Sequence, residues 1–153
     1  MKISDFTIII DTQEQLHYDF STIKPLPLIK HEKLKTGDYS IQGLESEITV
    51  ERKTLSDLFG SLGKGRNRFH REFQRMSEMK YAVLMIENDY ETMFSNPPSH
   101  STIMPKKIFR SLIAWSQRYG VHVWPMWSRE SAEKATYLIL KRYWDDCLEG
   151  YLM

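Results

Sequence analysis

Long apolar runs are missing from this 153-residue chain. The longest early one, Phe6 to Ile10, falls far short of the roughly 20 residues that cross a bilayer. Nothing at the start has the make-up of a signal peptide. Cysteine is almost missing too: Cys147 stands alone, which excludes an intrachain disulfide and a zinc site built from cysteines. These absences give the expectation of an intracellular protein with no membrane partner. A surplus of charge of either sign is lacking as well. Lys and Arg number 21 against 20 Asp and Glu, leaving +1, so any attraction for an acidic polymer must come from how the charges are distributed. Repeats and low-complexity segments do not occur. Gly60-Ser61-Leu62-Gly63-Lys64-Gly65 is glycine-rich but lacks phosphate-loop spacing, which weighs against a nucleotide-handling enzyme. His100 and His122 have no partner at metal-ligand spacing and read as ordinary surface or core histidines.

What is present suits one globular domain spanning 1–153. Hydrophobic residues make up 41% and charged residues 27%, ordinary for a chain that buries a core. The organising stretch is Val50-Glu51-Arg52-Lys53-Thr54-Leu55-Ser56-Asp57-Leu58. Glu47 to Lys53 carries β-branched Ile48, Thr49 and Val50 between charges and reads as a strand. Alternation along a strand puts Glu51 and Lys53 on one face, Val50 and Arg52 on the other. A helix from about Leu55 to Ser61 follows, with Thr54 as cap and Asp57 three residues on. Acid, spacer and lysine at a strand end form the second half of the PD-(D/E)xK nuclease pattern. There a carboxylate takes a hard divalent cation, and the lysine steadies a hydroxide or the charge developing on phosphorus. By itself the triplet is weak, since exposed pairs of this kind are common and nearly neutral in energy.

Other stretches fill in the frame. Phe6 to Ile10 reads as a buried strand, left by Asp11-Thr12-Gln13-Glu14. Asp11 stands where a strand end delivers a side chain to a site, and equally where an Asx-turn forms. Leu26 to Lys30, with prolines at 25 and 27, reads as an irregular approach to the next strand. Tyr39 to Ile41 is a strand entered by the Gly37-Asp38 turn and left at Gly43. Pairing it with the Glu51 strand brings Asp38 and Glu51 together from separate strands, as an oxygen-liganded metal requires. Lys64, Arg66, Arg68, Arg71 and Arg75 crowd one stretch opposed only by Glu72. From Arg66 a helix sets Phe69, Phe73 and Met76 in an apolar stripe, with Arg68, Arg71 and Arg75 in a basic one beside it. That basic stripe suits either a solvated face or contact with phosphates, and its place just after the acids favours phosphates.

Tyr81 to Ile86 reads as a second buried strand ending at Glu87, and Asn88 to Met104, with its prolines, as a loop. Lys106 to Tyr119 is an amphipathic helix stopped by Gly120; Val121 to Trp124 is a short strand. The last helix, about Ser131 to Glu149, has two apolar stripes: Ala132, Ala135, Ile139 and Tyr143, and Tyr137, Leu140, Trp144 and Leu148. Two faces want two partners, either one core that wraps the helix or a second subunit. The sum is an α/β fold with a central mixed sheet flanked by helices.

Gly37-Asp38, Glu51-Arg52-Lys53 and Asp57 together resemble the GDX(n)ERKXXXD signature of XPF-type (ERCC4-domain) endonucleases, whose nuclease domain has the restriction-endonuclease-like fold. Asp11-Thr12-Gln13-Glu14 is similar to that family's D-x-R-E segment, with Gln13 in place of the arginine. Leu84-Met85-Ile86-Glu87 and Arg110-Ser111-Leu112 fit as well, so the likeness spans nearly the whole chain. It implies a DNA endonuclease dependent on Mg²⁺ or Mn²⁺, acting on branched, flap or single-strand-containing DNA in repair or recombination. Asp38 and Glu51 would be the principal metal ligands, Asp11 would shape or join the site, and Lys53 would activate water. Arg52, Asp57 and Glu14 would support them, and Lys64, Arg66, Arg68, Arg71 and Arg75 would meet DNA. Pairing as a homodimer or heterodimer through the C-terminal helix is implied too. Relatives often carry helix-hairpin-helix modules, whose Gly-x-Gly hairpins do not occur after Gly120. Some relatives have lost their acids and serve as DNA-binding scaffolds; the four residues Asp11, Asp38, Glu51 and Lys53 weigh against that alternative.

Overall fold

Among the described residues six strands, β1 (Thr7–Ile10), β2 (Leu28–His31), β3 (Tyr39–Ile41), β4 (Ile48–Lys53), β5 (Tyr81–Ile86) and β6 (Val121–Pro125), form one sheet in the order β2-β1-β3-β4-β5-β6. The structure is a computed structural model describing residues 5–151. Pairing is mixed: β1 runs parallel to β2, β3 is antiparallel to both β1 and β4, and β4, β5 and β6 are parallel. This is the α/β, restriction-endonuclease-like arrangement expected from the sequence.

Among the described residues, five helices cover the sheet: α1 (Leu55–Leu62), α2 (Arg66–Met76), α3 (Tyr90–Ser95), α4 (Pro105–Tyr119) and α5 (Arg129–Glu149). Alternation along the strands divides the core in two. Ile48, Val50, Val83 and Met85 face α5 and the aromatic pair Tyr18 and Phe20. Ala82, Leu84 and Ile86 face α1, α2 and α4, where Leu58, Phe73 and Trp115 close over them. Burying both faces of β4 and β5 is what a parallel core demands. The polar side chains of β4 therefore lie inside the protein, and their partners have to be protein groups.

Two expectations need correcting, and one open alternative is decided. Leu28–His31 is a strand rather than an irregular approach; it lies at the sheet edge with all four residues exposed, so no burial pattern marks it. Within the expected 88–104 loop, Tyr90–Ser95 is helical, capped by the Asp89 carboxylate, which accepts from the Thr92 N–H at 2.7 Å. This helix buries only Met93, too little to produce a period. The second stripe of α5 belongs to the molecule's own core: Leu140 and Trp144 are buried, and Tyr137 and Trp144 pack against Phe6. Only Leu148 of that stripe is exposed.

Candidate active site

The site begins with a glycine. Gly37 has φ +76°, and a Cβ there would lie 1.8 Å from Thr49 Oγ1, so only glycine lets this turn press onto β4. Thr49 Oγ1 itself donates to the Thr36 carbonyl at 2.8 Å. One residue on, the Asp38 N–H donates to the Val50 carbonyl at 2.9 Å, and Asp38 Oδ2 accepts from the Arg52 N–H at 2.8 Å. Asp38 is thereby fixed beside Glu51, whose side chain points from the middle of β4 into the layer below and is only 6% exposed.

The Asp38 charge acts on Glu51 across the gap between the two strands. Burial, then the nearby charge of Glu14, raises Asp38 to about 6, against the opposing pull of the Arg52 N–H and Lys53. Burial raises Glu51 well above the usual range, with Asp38 and then Glu72 adding to it and Lys53 opposing. Like charges this close cannot both ionise at low cost. A divalent cation held between such carboxylates would relieve that penalty. Among the described residues no cluster of three or more His, Cys, Asp or Glu surrounds a common point. Two carboxylates, with water and substrate oxygens for the remaining positions, suit Mg²⁺, which seldom takes an all-protein cage. Lys53 leaves β4 on the Glu51 face and sets its Nζ 5.0 Å above the Phe69 ring of α2, a cation–π contact that aims the ammonium.

On the opposite face of β4 a buried network holds the strand end. Arg52 meets Glu14 through two hydrogen bonds of 3.0 Å and Glu87 through one of 2.9 Å. Glu87 also accepts from Tyr18 Oη at 2.6 Å and from Arg129 Nη1 at 3.2 Å. Burial pushes the Tyr18 hydroxyl far up, helped by Glu87, so it stays a donor. Arg129 reaches the Leu16 carbonyl at 2.6 Å and covers the Tyr18 ring, joining the start of α5 to the segment after β1. Arg52 is thus a structural anchor, unavailable to phosphate.

The other expected residues divide. Asp11 donates its N–H to the Asp38 carbonyl at 2.8 Å. Its carboxylate accepts from the Leu34 N–H at 2.7 Å and the Gln13 N–H at 3.3 Å. Through these bonds it shapes the loops beside Asp38. Glu14 supports the site through Arg52. Asp57 gives its N–H to Thr54 Oγ1 as the cap requires and lies beside Lys53 along with Ser56, Arg68 and Glu72. Lys64, Arg68, Arg71 and Arg75 are exposed. Arg66 is turned inward, over the Trp115 ring at 4.9 Å with Nη1 on the Leu62 carbonyl. Sequence reasoning missed Tyr18, Glu72, Glu87 and Arg129 as site residues. Glu87 at the end of an apolar strand was the one visible signal; the rest depend on register.

The ERCC4 domain family model matches residues 10–139. The chain belongs to the ERCC4 domain family. Among solved structures, this ERCC4 domain is similar to XPF from Aeropyrum pernix, at 22% identity and TM-score 0.66. The alignment covers 89% of this chain and 62% of that one. The same protein in complex with DNA matches at 22% identity and TM-score 0.65, with the same coverage. At this identity the likeness establishes the fold of the ERCC4 domain, which spans under two thirds of those chains. No curated protein matches the chain, and no described helix is long and apolar enough to cross a membrane.

Proposed function

We propose that the chain is a divalent-metal-dependent endonuclease that hydrolyses phosphodiester bonds of branched, flap or single-strand-containing DNA. One observation supports the reading: half-buried Asp38 and buried Glu51 come together from separate, paired strands, and Lys53 leaves the same strand as Glu51 with its ammonium over Phe69. Asp38 and Glu51 are the residues that hold the cation. When bound, Mg²⁺ or Mn²⁺ supplies Lewis-acid stabilisation of phosphoryl oxygens and a more acidic water. Lys53 adds a fixed positive charge and a donor that orients the attacking water, in a place where little reorganisation is needed. Arg52 keeps Asp38 in position through its backbone N–H and keeps the strand end in place through Glu14 and Glu87. Lys64, Arg68, Arg71 and Arg75 draw the phosphate backbone toward this edge.

The test is cleavage of labelled linear, forked and flapped DNAs with Mg²⁺, Mn²⁺ or EDTA. Wild type cuts with metal only, while Glu51→Gln and Lys53→Ala each lose on the order of 10²–10³ in rate, as expected on removing one preorganised electrostatic group. Wild type that binds these DNAs and cuts none with either metal would instead make the chain a scaffolding module.

Pairing with a second copy is part of the same proposal, through a different face of α5 from the Trp144 stripe. A groove of about 840 Å³ runs between β6 and α5, with Trp124, Trp127, Leu138, Ile139 and Tyr151 among its lining. Its rim carries both signs, Lys134 and Arg142 with Asp146, as a surface facing its own copy across a two-fold requires.

A further inference from the structure

We infer that the depression beside Lys53 binds the single phosphodiester next to the one being cut, and that His100 closes it. This rests on the endonuclease reading of the neighbouring carboxylates. The depression holds about 480 Å³, and its wall includes Lys53, Ser56, Asp57, Arg68, Glu72 and His100. His100 comes from the segment between α3 and α4, distant in sequence from every other wall residue. Two contacts set it there: its Nε2 lies 3.2 Å from Ser56 Oγ, and Ile103 packs directly on Gly63. A Cβ at Gly63 would come within 2.5 Å of Ile103 Cδ1, which shows how closely the segment lies on the end of α1.

The chemistry of the wall selects the ligand. Arg68 has no ion pair and His100 Nδ1 no hydrogen-bond partner among the described residues, leaving donors free at two corners. Lys53 and Arg68 face Asp57 and Glu72, so the fixed charges nearly balance. A dianion such as orthophosphate meets two carboxylates and gains little. A diester carries one charge, accepts from Arg68 and from His100 Nδ1 when the Ser56 hydroxyl donates to Nε2, and has a sugar on each side to occupy the width left by Gly60 and Gly65. Placement against Lys53 makes this the phosphate adjoining the one at the Asp38–Glu51 pair. Gripping it there fixes the register of the strand being cut.

The test needs no cleavage. Isotope-labelled protein in EDTA is titrated with thymidylyl-thymidine, with its neutral methylphosphonate analogue and with orthophosphate, and followed by NMR. Thymidylyl-thymidine is expected to give saturable shifts of the His100 ring and of the Ser56, Gly60 and Gly65 amides. The analogue and orthophosphate should bind roughly tenfold more weakly, and Arg68→Gln and His100→Ala should each lose about the same factor, the effect of one charge-assisted hydrogen bond. Unchanged spectra elsewhere show that the variants are folded. An equal response to the neutral analogue, or variants that bind as wild type does, overturns the site. Wild type that cuts DNA but shows none of these shifts also overturns it and leaves the nuclease reading standing. The shifts in a protein that cuts nothing support the site and overturn the nuclease reading.

Discussion

Glu51 occupies a position where a folded chain does not ordinarily keep a carboxylate, and that has a thermodynamic signature. Asp38 moves from 3.8 to about 6 on folding, and Glu51 moves the same way. A carboxyl whose folded value is raised binds its proton more tightly folded than unfolded. Its stabilisation is therefore fully present below the unfolded value and is lost as pH rises through the folded one. In EDTA this pair should make wild type more stable near pH 5 than near pH 8, with most of the loss around and above pH 6. Glu51→Gln removes the like charge and should flatten that dependence. It should also raise the pH 8 thermal midpoint, by about 2–4 °C for each kcal/mol relieved in a chain this size. Mg²⁺ at pH 8 should raise the midpoint of wild type and leave the variant where it is. Thermal scans at both pH values check this; a wild type that is no less stable at pH 8 than the variant would contradict it.

At the scale of elements, α2 presents two unlike faces. Phe69, Phe73 and Met76 are buried, and Arg68, Arg71 and Arg75 form no ion pair among the described residues. An Arg68→Ala, Arg71→Ala, Arg75→Ala variant should bind all DNAs more weakly in equal proportion. The slope of log affinity against log salt should fall by roughly one for each phosphate that the variant no longer neutralises. Titrations at several salt concentrations measure this, and an unchanged slope makes the stripe a solvated face. The β4–α1 unit was legible in the sequence because its signals are local: alternation, a threonine cap, and an acid two residues before a lysine. Asp38 beside Glu51 was legible because one short antiparallel pairing brings them together. What escaped depends on distance along the chain. Glu87 reaches Arg52 only because β4 and β5 pair with Arg52 opposite Met85, and no local pattern states that register. The α5 stripes show the complementary failure: periodicity tells which residues share a face, and is silent on whether Phe6 covers it.

For the molecule as a whole, that correction moves the expected interface. Trp144→Glu would place a charge in the core beside Phe6 and should compromise folding rather than assembly. Leu138, 62% exposed and bordering the β6 groove, is the residue whose change should separate a pair of copies. Sedimentation is expected to show a dimer for wild type and a folded monomer for Leu138→Glu. A wild type that sediments as a monomer at high concentration excludes self-pairing through this face.

The four tryptophans have a distribution useful in a different way. Trp115 is buried among α1, α2 and α4, Trp144 is buried under α5, and Trp124 and Trp127 are 41% and 71% exposed at the groove. Each side of the sheet therefore contains its own shielded indole, and two more face water. With Trp124 and Trp127 replaced by phenylalanine, the remaining emission comes from one fluorophore per layer. Removing Trp115 or Trp144 in turn isolates the other. The half that carries Lys53 and the half that carries Arg52 can then be followed separately through denaturation, each by light it emits itself.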